Sequence, residues 1–202
     1  MNIKQSIAIL LLILVSFGEL SAQDTIKTQT SRKVNIGGIF LSAGTGIDIP
    51  MGTFRDNSDV TFGILGRLEY TSTSLFPFII GGEVDYFSYN GDDEFKNLNL
   101  LNTFKTRILS VGLNVEIALS KFLRSSFTTP FLTFDIKTNL INREYDEGKV
   151  LENMPLSENK ISIGAGAGFT VFIFDFYFKY NYIKDLSNIG VYTKFKIPII
   201  RF

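Results

Sequence analysis

From Ile161 to Ile173 the chain alternates without a break. Ile161, Ile163, Ala165, Ala167, Phe169, Val171 and Ile173 share one parity, and Ser162, Gly164, Gly166, Gly168, Thr170 and Phe172 share the other. Successive side chains of an extended strand point to opposite faces, so a run this long reads as a β-strand with one face in an apolar medium. Phe176, Phe178, Tyr180 and Tyr182 then alternate with Tyr177, Lys179 and Asn181, and Val191, Thr193, Phe195, Ile197 and Ile199 alternate with Tyr192, Lys194, Lys196 and Pro198. These runs organise the reading of everything before them.

The same rhythm starts at Ile39, where Ile39, Leu41, Ala43, Thr45, Ile47 and Ile49 oppose Phe40, Ser42, Gly44, Gly46 and Asp48 until Pro50 ends the run. It returns at Phe62–Tyr70, Phe78–Phe87, Leu109–Leu119 and Leu132–Asn139, for a predicted total of eight strands and no helical pattern after the N-terminal segment. The connections are Met51–Asp59, Thr71–Phe76, Gly91–Lys105, Lys121–Thr129, the long acidic Asn142–Asn159, and Lys184–Ile189. Odd-numbered connections are mostly longer than even-numbered ones. An even antiparallel meander with long loops at one end and tight turns at the other fits an all-β, eight-stranded, up-and-down transmembrane β-barrel, with both termini in the periplasm.

Two readings compete for the greasy face, since a soluble lipocalin-like lipid binder turns it inward and a membrane barrel turns it outward. The opposite face decides. It mixes glycines with single charges of both signs: Asp48, Arg67, Glu69, Glu83, Asp85, Glu116, Asp135, Lys137, Lys179, Lys194 and Lys196. That mixture suits the crowded lumen of a narrow barrel better than a water-washed exterior. Six of these residues are acidic and five basic, so they are expected to pair as a lumen charge network, an unpaired charge there being strongly disfavoured. Lys194 or Lys196 is expected to meet Asp48 where the last strand closes on the first. Tyr70, Tyr86, Tyr180 and Tyr182 sit where apolar faces end, as rings with one polar tip do at a membrane interface.

Lys4, the apolar run Ile7–Val15 and the small residues before Gln23 form the layout of a secretory signal peptide over residues 1–22, the run being too short for a spanning helix of about 20 residues. Residues 23–33 read as a flexible lead-in and 34–202 as the barrel domain.

Composition narrows the chemistry. Twenty basic and twenty acidic residues leave no net charge and no case for nucleic acid as partner. Cysteine and histidine are both absent, which excludes Ser-His and Cys-His catalysis, thiolate zinc sites and disulfides. A Ser-Lys dyad drawn from Ser42, Ser110 or Ser162 with Lys179, Lys194 or Lys196 is open on paper, but lumen hydrogen bonding explains those serines better. Glu83 and Asp85, roughly 7 Å apart along a strand, have the spacing of an inverting glycosidase pair, yet no tryptophan is present to stack on a sugar. The loop acids Asp92, Asp93 and Glu94, and Glu144, Asp146 and Glu147, offer oxygen ligands for a divalent cation; solvated loop charge is the simpler explanation. No catalytic residue, cofactor site or metal site is assigned.

Phe202, a bare aromatic terminus on an amphipathic last strand, resembles the C-terminal assembly signal of bacterial outer-membrane barrels. The strand pattern resembles the OmpA/OmpX type of small barrel. The stretch Gly44–Phe54, with its P-x-G-x-F loop, is similar to the first strand and loop of the outer membrane protein β-barrel domain group, including PorT-like proteins. The resemblance implies residence in the outer membrane among its lipids, insertion by the barrel-assembly machinery, and either a structural or interaction role for the loops or a narrow channel or secretion-accessory role. A protein partner, extracellular or periplasmic, is left unnamed by it. The enzymes of that fold use a histidine, so none of their catalytic residues carries over. Simple parity groups Phe202 with Lys194 and Lys196, unless a bulge at Pro198 resets the register. In fractionated cells the chain is expected in the detergent-soluble membrane pellet, with a band that shifts mobility on boiling; recovery in the soluble fraction would support the lipocalin-like reading.

Overall fold

Lipid offers a backbone no hydrogen-bond partner, so strands that cross it must pair on both edges, and a sheet does so only by closing on itself. The computed structural model describes residues 37–120, 128–146, 151 and 154–202; the expected signal peptide and lead-in, and the loop acid Glu147, lie outside the described residues. Eight strands, β1 (Gly37–Pro50), β2 (Thr61–Ser72), β3 (Phe78–Asn90), β4 (Phe104–Ala118), β5 (Thr128–Tyr145), β6 (Ser157–Val171), β7 (Phe174–Ile183) and β8 (Asn188–Arg201), follow one another around a closed antiparallel barrel. β8 pairs with β1 from Pro50↔Asn188 to Gly38↔Arg201. The start of β1 and the end of β8 therefore lie at one rim, called here the terminal end, and the connections 51–60, 91–103 and 184–187, with the described residues 146 and 154–156, lie at the other, the loop end.

The apolar parity faces out. Leu113 is 67% exposed and Phe178 56%, whereas Glu116 and Lys179 are each 1% exposed. That arrangement excludes the lipocalin-like alternative, because a soluble barrel with this exterior would hold dozens of leucines, isoleucines and phenylalanines against water.

Bulky inward side chains have glycines across from them. Gly112 stands opposite Glu83 on β3 and Lys137 on β5, and Gly46 stands opposite Tyr192 on β8. A Cβ on Gly112 would overlap the backbone at Ile136 and Lys137, and one on Gly46 would enter the Tyr192 ring. The glycines of the polar parity are thus the space into which the large side chains fit, the small-against-large filling that a narrow barrel requires.

Two expectations need correction, and a third matter, left open above, is resolved. First, the connection 91–103 contains a short helix, α1 (Asp93–Leu98), and a 3-10 turn spans Gly52–Phe54. The helix is a single capped stretch, too short to show a period of its own: the Asp92 side chain accepts from the amides of Glu94 (2.8 Å) and Phe95 (3.1 Å). Second, β4, β5 and β6 run several residues further toward the loop end than the alternation suggested. Up there the polarity reverses: Phe104, Ile108 and Ile141 point inward, 2%, 3% and 0% exposed, while Lys105, Arg107, Asn142 and Glu144 point out. The strands have left the apolar layer, so their water-facing side is polar and their lumen side packs. Third, β8 carries one extra residue against β1, since Phe40 pairs with Pro198 but Ile39 with Ile200. This bulge at Ile199 resolves the parity of the terminus: Phe202 shares the exterior with Tyr70, their ring centroids 6.2 Å apart. Replacing Gly112 by leucine is expected to overpack the lumen and lower stability by about 1–3 kcal/mol, read as a lower urea midpoint for the barrel in micelles, while leucine at the outward-facing Gly82, which has open space around its Cβ position, leaves the midpoint near wild type.

Candidate functional site

Of the eleven residues expected to line the lumen, ten are buried, and Lys196 keeps a side chain 15% exposed near the terminal end. Glu83 joins them. Its carboxylate holds Arg67 Nε at 2.6 Å, Lys179 Nζ at 2.9 Å and Lys137 Nζ at 3.2 Å. On the loop-end side, Lys137 also pairs closely with Asp85, and Lys179 reaches Asp135 at 2.9 Å. On the terminal side, Arg67 reaches Glu116 at 2.6 Å, and Lys194 pairs with Glu69, with Glu116 at 2.7 Å and with Asp175 at 3.3 Å. Lys196 adds Glu69 at 3.1 Å and Asp175 at 3.3 Å. The five cations thus each face two or more carboxylates, as charges in a low-dielectric space require.

Two positions depart from the expectation. Asp48 does not meet Lys194 or Lys196. Its cross-strand neighbour is Gly190, four residues from Lys194 and so about 13 Å away along the strand. It instead accepts hydrogen bonds from the phenols of Tyr89 (2.9 Å) and Tyr192. Asp175, fully buried, belongs to the network although alternation counted from Phe176 passed it by. The signal is in the sequence: Asp175 shares the parity of Tyr177 and Lys179, one position before Phe176.

Aromatic and aliphatic side chains close the lumen around the charges. The Arg67 guanidinium lies 5.1 Å from the Tyr177 ring centroid, and Tyr177 stacks on Tyr192 at 5.0 Å. At the loop end Phe54, delivered by the 3-10 turn and 0% exposed, packs on Tyr89 at 4.7 Å, with Phe87, Ile108, Ile141, Ile183 and Leu186 around it. A second ionic group rims this plug: Arg143 with Glu158 (2.6 Å), and Lys160 with Glu158 (3.2 Å) and Asp185 (3.5 Å).

None of the candidate nucleophiles is activated. Ser42 donates to Glu69 (3.0 Å), Ser110 to Asn139 (2.7 Å) and Ser162 to the Lys137 carbonyl (3.5 Å), and the candidate lysines are ion-paired. Glu83 and Asp85 are likewise committed to cations. Four of the loop acids are engaged by neighbouring groups. Asp92 caps α1, Asp93 pairs with Lys96 at 2.7 Å, and Glu144 with Arg107 at 2.7 Å. Asp146 accepts from the amides of Asn102 (2.7 Å) and Thr103 (3.0 Å) and from both their side chains.

The loops are also tied to one another. The amide of Met51 donates to the Ser187 carbonyl (2.8 Å), that of Asp92 to Asn57 (3.2 Å) and that of Asp59 to Asn90 (2.9 Å), while Phe95, Phe104 and Tyr145 stack in series. From this platform Leu98 and Leu100 project, 77% and 78% exposed.

No family model matches the chain, and no curated protein matches it. Among solved structures it is similar to Neisserial surface protein A (NspA), at 14% identity and a TM-score of 0.52 over 80% of this chain and 97% of that one. This is the fold of the small outer-membrane β-barrels. The eight-stranded barrel implied by the OmpA/OmpX-type resemblance is the one present, and its apolar exterior and closed sheet are the outer-membrane architecture. The N-terminal β-barrel domain of Pseudomonas aeruginosa OprF is also similar, at 10% identity and a TM-score of 0.46 over 80% of this chain and 99% of that one. So is Ail, the attachment invasion locus protein of Yersinia pestis, at 12% identity and 0.43 over 83% and 99%.

Two expected outcomes follow for the outer-membrane barrel. Glu83→Gln takes one carboxylate away from three cations at once and should lower stability by about 3–5 kcal/mol, measured by urea unfolding in micelles, with Lys179→Met in the same background recovering part of the loss. Outside the membrane, the hydrogen bonds from Asn102 and Thr103 hold the Asp146 carboxyl below its ordinary 3.8. A depressed folded value means that the contribution to loop stability is present at neutral pH and lost as pH falls through that value. The backbone amide resonances of Asn102 and Thr103 should therefore titrate with a midpoint below 3.8, and cease to do so in Asp146→Asn.

Proposed function

We propose that this chain is a non-enzymatic integral protein of the outer membrane, a closed peg whose work is done by its loop platform outside the cell. One observation carries the reading: the lumen is obstructed by a network of paired charges and capped by the Phe54–Tyr89 cluster, whereas the loops above it are cross-tied and hold Leu98 and Leu100 out to solvent. A barrel meant to pass solutes gains nothing from such a filling. A barrel meant to hold a surface in place does, because the filling fixes every strand's register and hence the position of each loop.

Apolar side chains fixed on a stiff loop favour a macromolecular partner, since ordering was completed before contact and little conformational entropy remains to be lost on binding. The acids Asp92, Asp93 and Glu94 precede Leu98 and Leu100 on the same connection and outnumber its Lys96, so the complementary surface is an apolar pocket with a basic rim on one side. Insertion by the barrel-assembly machinery, with Phe202 as its terminal signal, belongs to the same proposal. Reconstituted into planar bilayers, the full chain is expected to give no stepwise conductance at moderate voltage, and Phe54→Ala alone should leave it silent because the ionic layer beneath stays in place. Discrete openings in the wild-type chain would overturn the closed-peg reading in favour of a narrow channel.

A further inference from the structure

Between the ionic network and the aromatic cap lies an interior cavity that leaves about 20 Å³ for the centres of water-sized groups, its polar lining formed chiefly by Asp48, Asp85, Ser110, Asn139 and Asn181. Asp85 and Asn181 are 4% and 5% exposed. Asp85 gives one carboxylate oxygen to Lys137, but its Oδ1 accepts no hydrogen bond from the protein, and neither does Asn181 Oδ1. Asn181 faces the other way with its amide nitrogen, which donates to Asn188 (2.7 Å) and Tyr192 (3.2 Å). The Ser110 hydroxyl donates to Asn139 and keeps its lone pairs. Lys137, Ser162, Tyr89 and Tyr192 also line the cavity, but they already donate to other groups, so its open positions are acceptors.

Charge points the same way. Among the described residues the lumen buries the six carboxylates expected from the sequence together with Asp175, against five cations, while the mouth group of Arg143, Lys160, Glu158 and Asp185 balances itself. Two negative charges are left over. Asp48 has no lysine or arginine within ion-pair distance among the described residues, and Lys137, which also touches the cavity, is already divided among Glu83, Asp85 and Asp135. Excess negative charge in a low-dielectric space is relieved by a proton or by a counter-cation, and oxygens left open on both Asp85 and Asn181 suit the cation.

We propose that this cavity binds one monovalent alkali cation, sodium by size, on the Asp85 and Asn181 carbonyl-type oxygens and the Ser110 hydroxyl, in the field of Asp48. Hard oxygen donors suit an alkali ion. A divalent ion is disfavoured because only two acidic side chains, Asp48 and Asp85, line this cavity. The space is that of one small sphere, since a water needs at least roughly 10–15 Å³ by the same measure. The site is independent of what the loops bind.

The full chain, refolded into micelles in sodium, potassium or N-methyl-D-glucamine chloride at equal ionic strength, tests this. The unfolding midpoint should be highest in sodium and rise with the logarithm of its concentration. Asp85→Asn and Asn181→Ala should each abolish that dependence while keeping the heat-modifiable band; Asn181→Ala alters no charge and decides the matter should Asp85→Asn fail to fold. Crystals grown from protein refolded in thallium(I) acetate should show an anomalous peak between Asp85 and Asn181. Equal midpoints in all three salts, a sodium dependence unchanged in both variants, or an ordered water there without an anomalous peak would each overturn the proposal.

Discussion

Closure of β8 onto β1 is the interaction on which the rest depends. Without that seam two strand edges would meet hydrocarbon, each unpaired amide or carbonyl costing several kcal/mol. With it, eight strands fix a circumference, and the circumference fixes a narrow interior filled mostly by side chains. The glycines facing Lys137 and Tyr192 follow from that number, because two Cβ-bearing neighbours could not both fit at those levels.

An ionic filling is not the most stabilising one available, since well-packed apolar side chains of equal volume often serve as well or better. What it supplies here is register. Arg67 on β2 reaches Glu116 on β4, while Lys179 on β7 reaches Glu83 on β3 and Asp135 on β5, so these pairs tie strands that share no backbone hydrogen bond. A one-residue slip of any of these strands would send its charge into lipid and its isoleucine or phenylalanine into the network. The charges thus discriminate against wrong pairings more than they hold the right one together.

Much of this was legible in the sequence, because lipid enforces strict alternation and a narrow lumen enforces glycine beside charge. The strand count, the outward greasy face and the burial of Arg67, Glu83 or Lys194 could all be read from parity alone. What parity could not give was pairing. Asp48 finds tyrosines instead of lysines because partners across the seam are set by stagger, which depends on all eight strands together. Nor could parity show the mouth, where Ile108 and Ile141 swap roles with Arg107 and Asn142; the same alternation continues there with the opposite meaning. The bulge at Ile199 left only a proline as its trace.

The swap of roles at the mouth marks a waterline on the molecule. Below it the barrel answers to hydrocarbon, and above it the same strands form a small conventional β-structure with its own greasy heart of Phe54, Phe104, Ile108 and Ile141. The two storeys share a backbone but obey separate solvents. The upper one can therefore be rebuilt by substitution, insertion or exchange under the rules of soluble proteins, so long as the lower one stays moored.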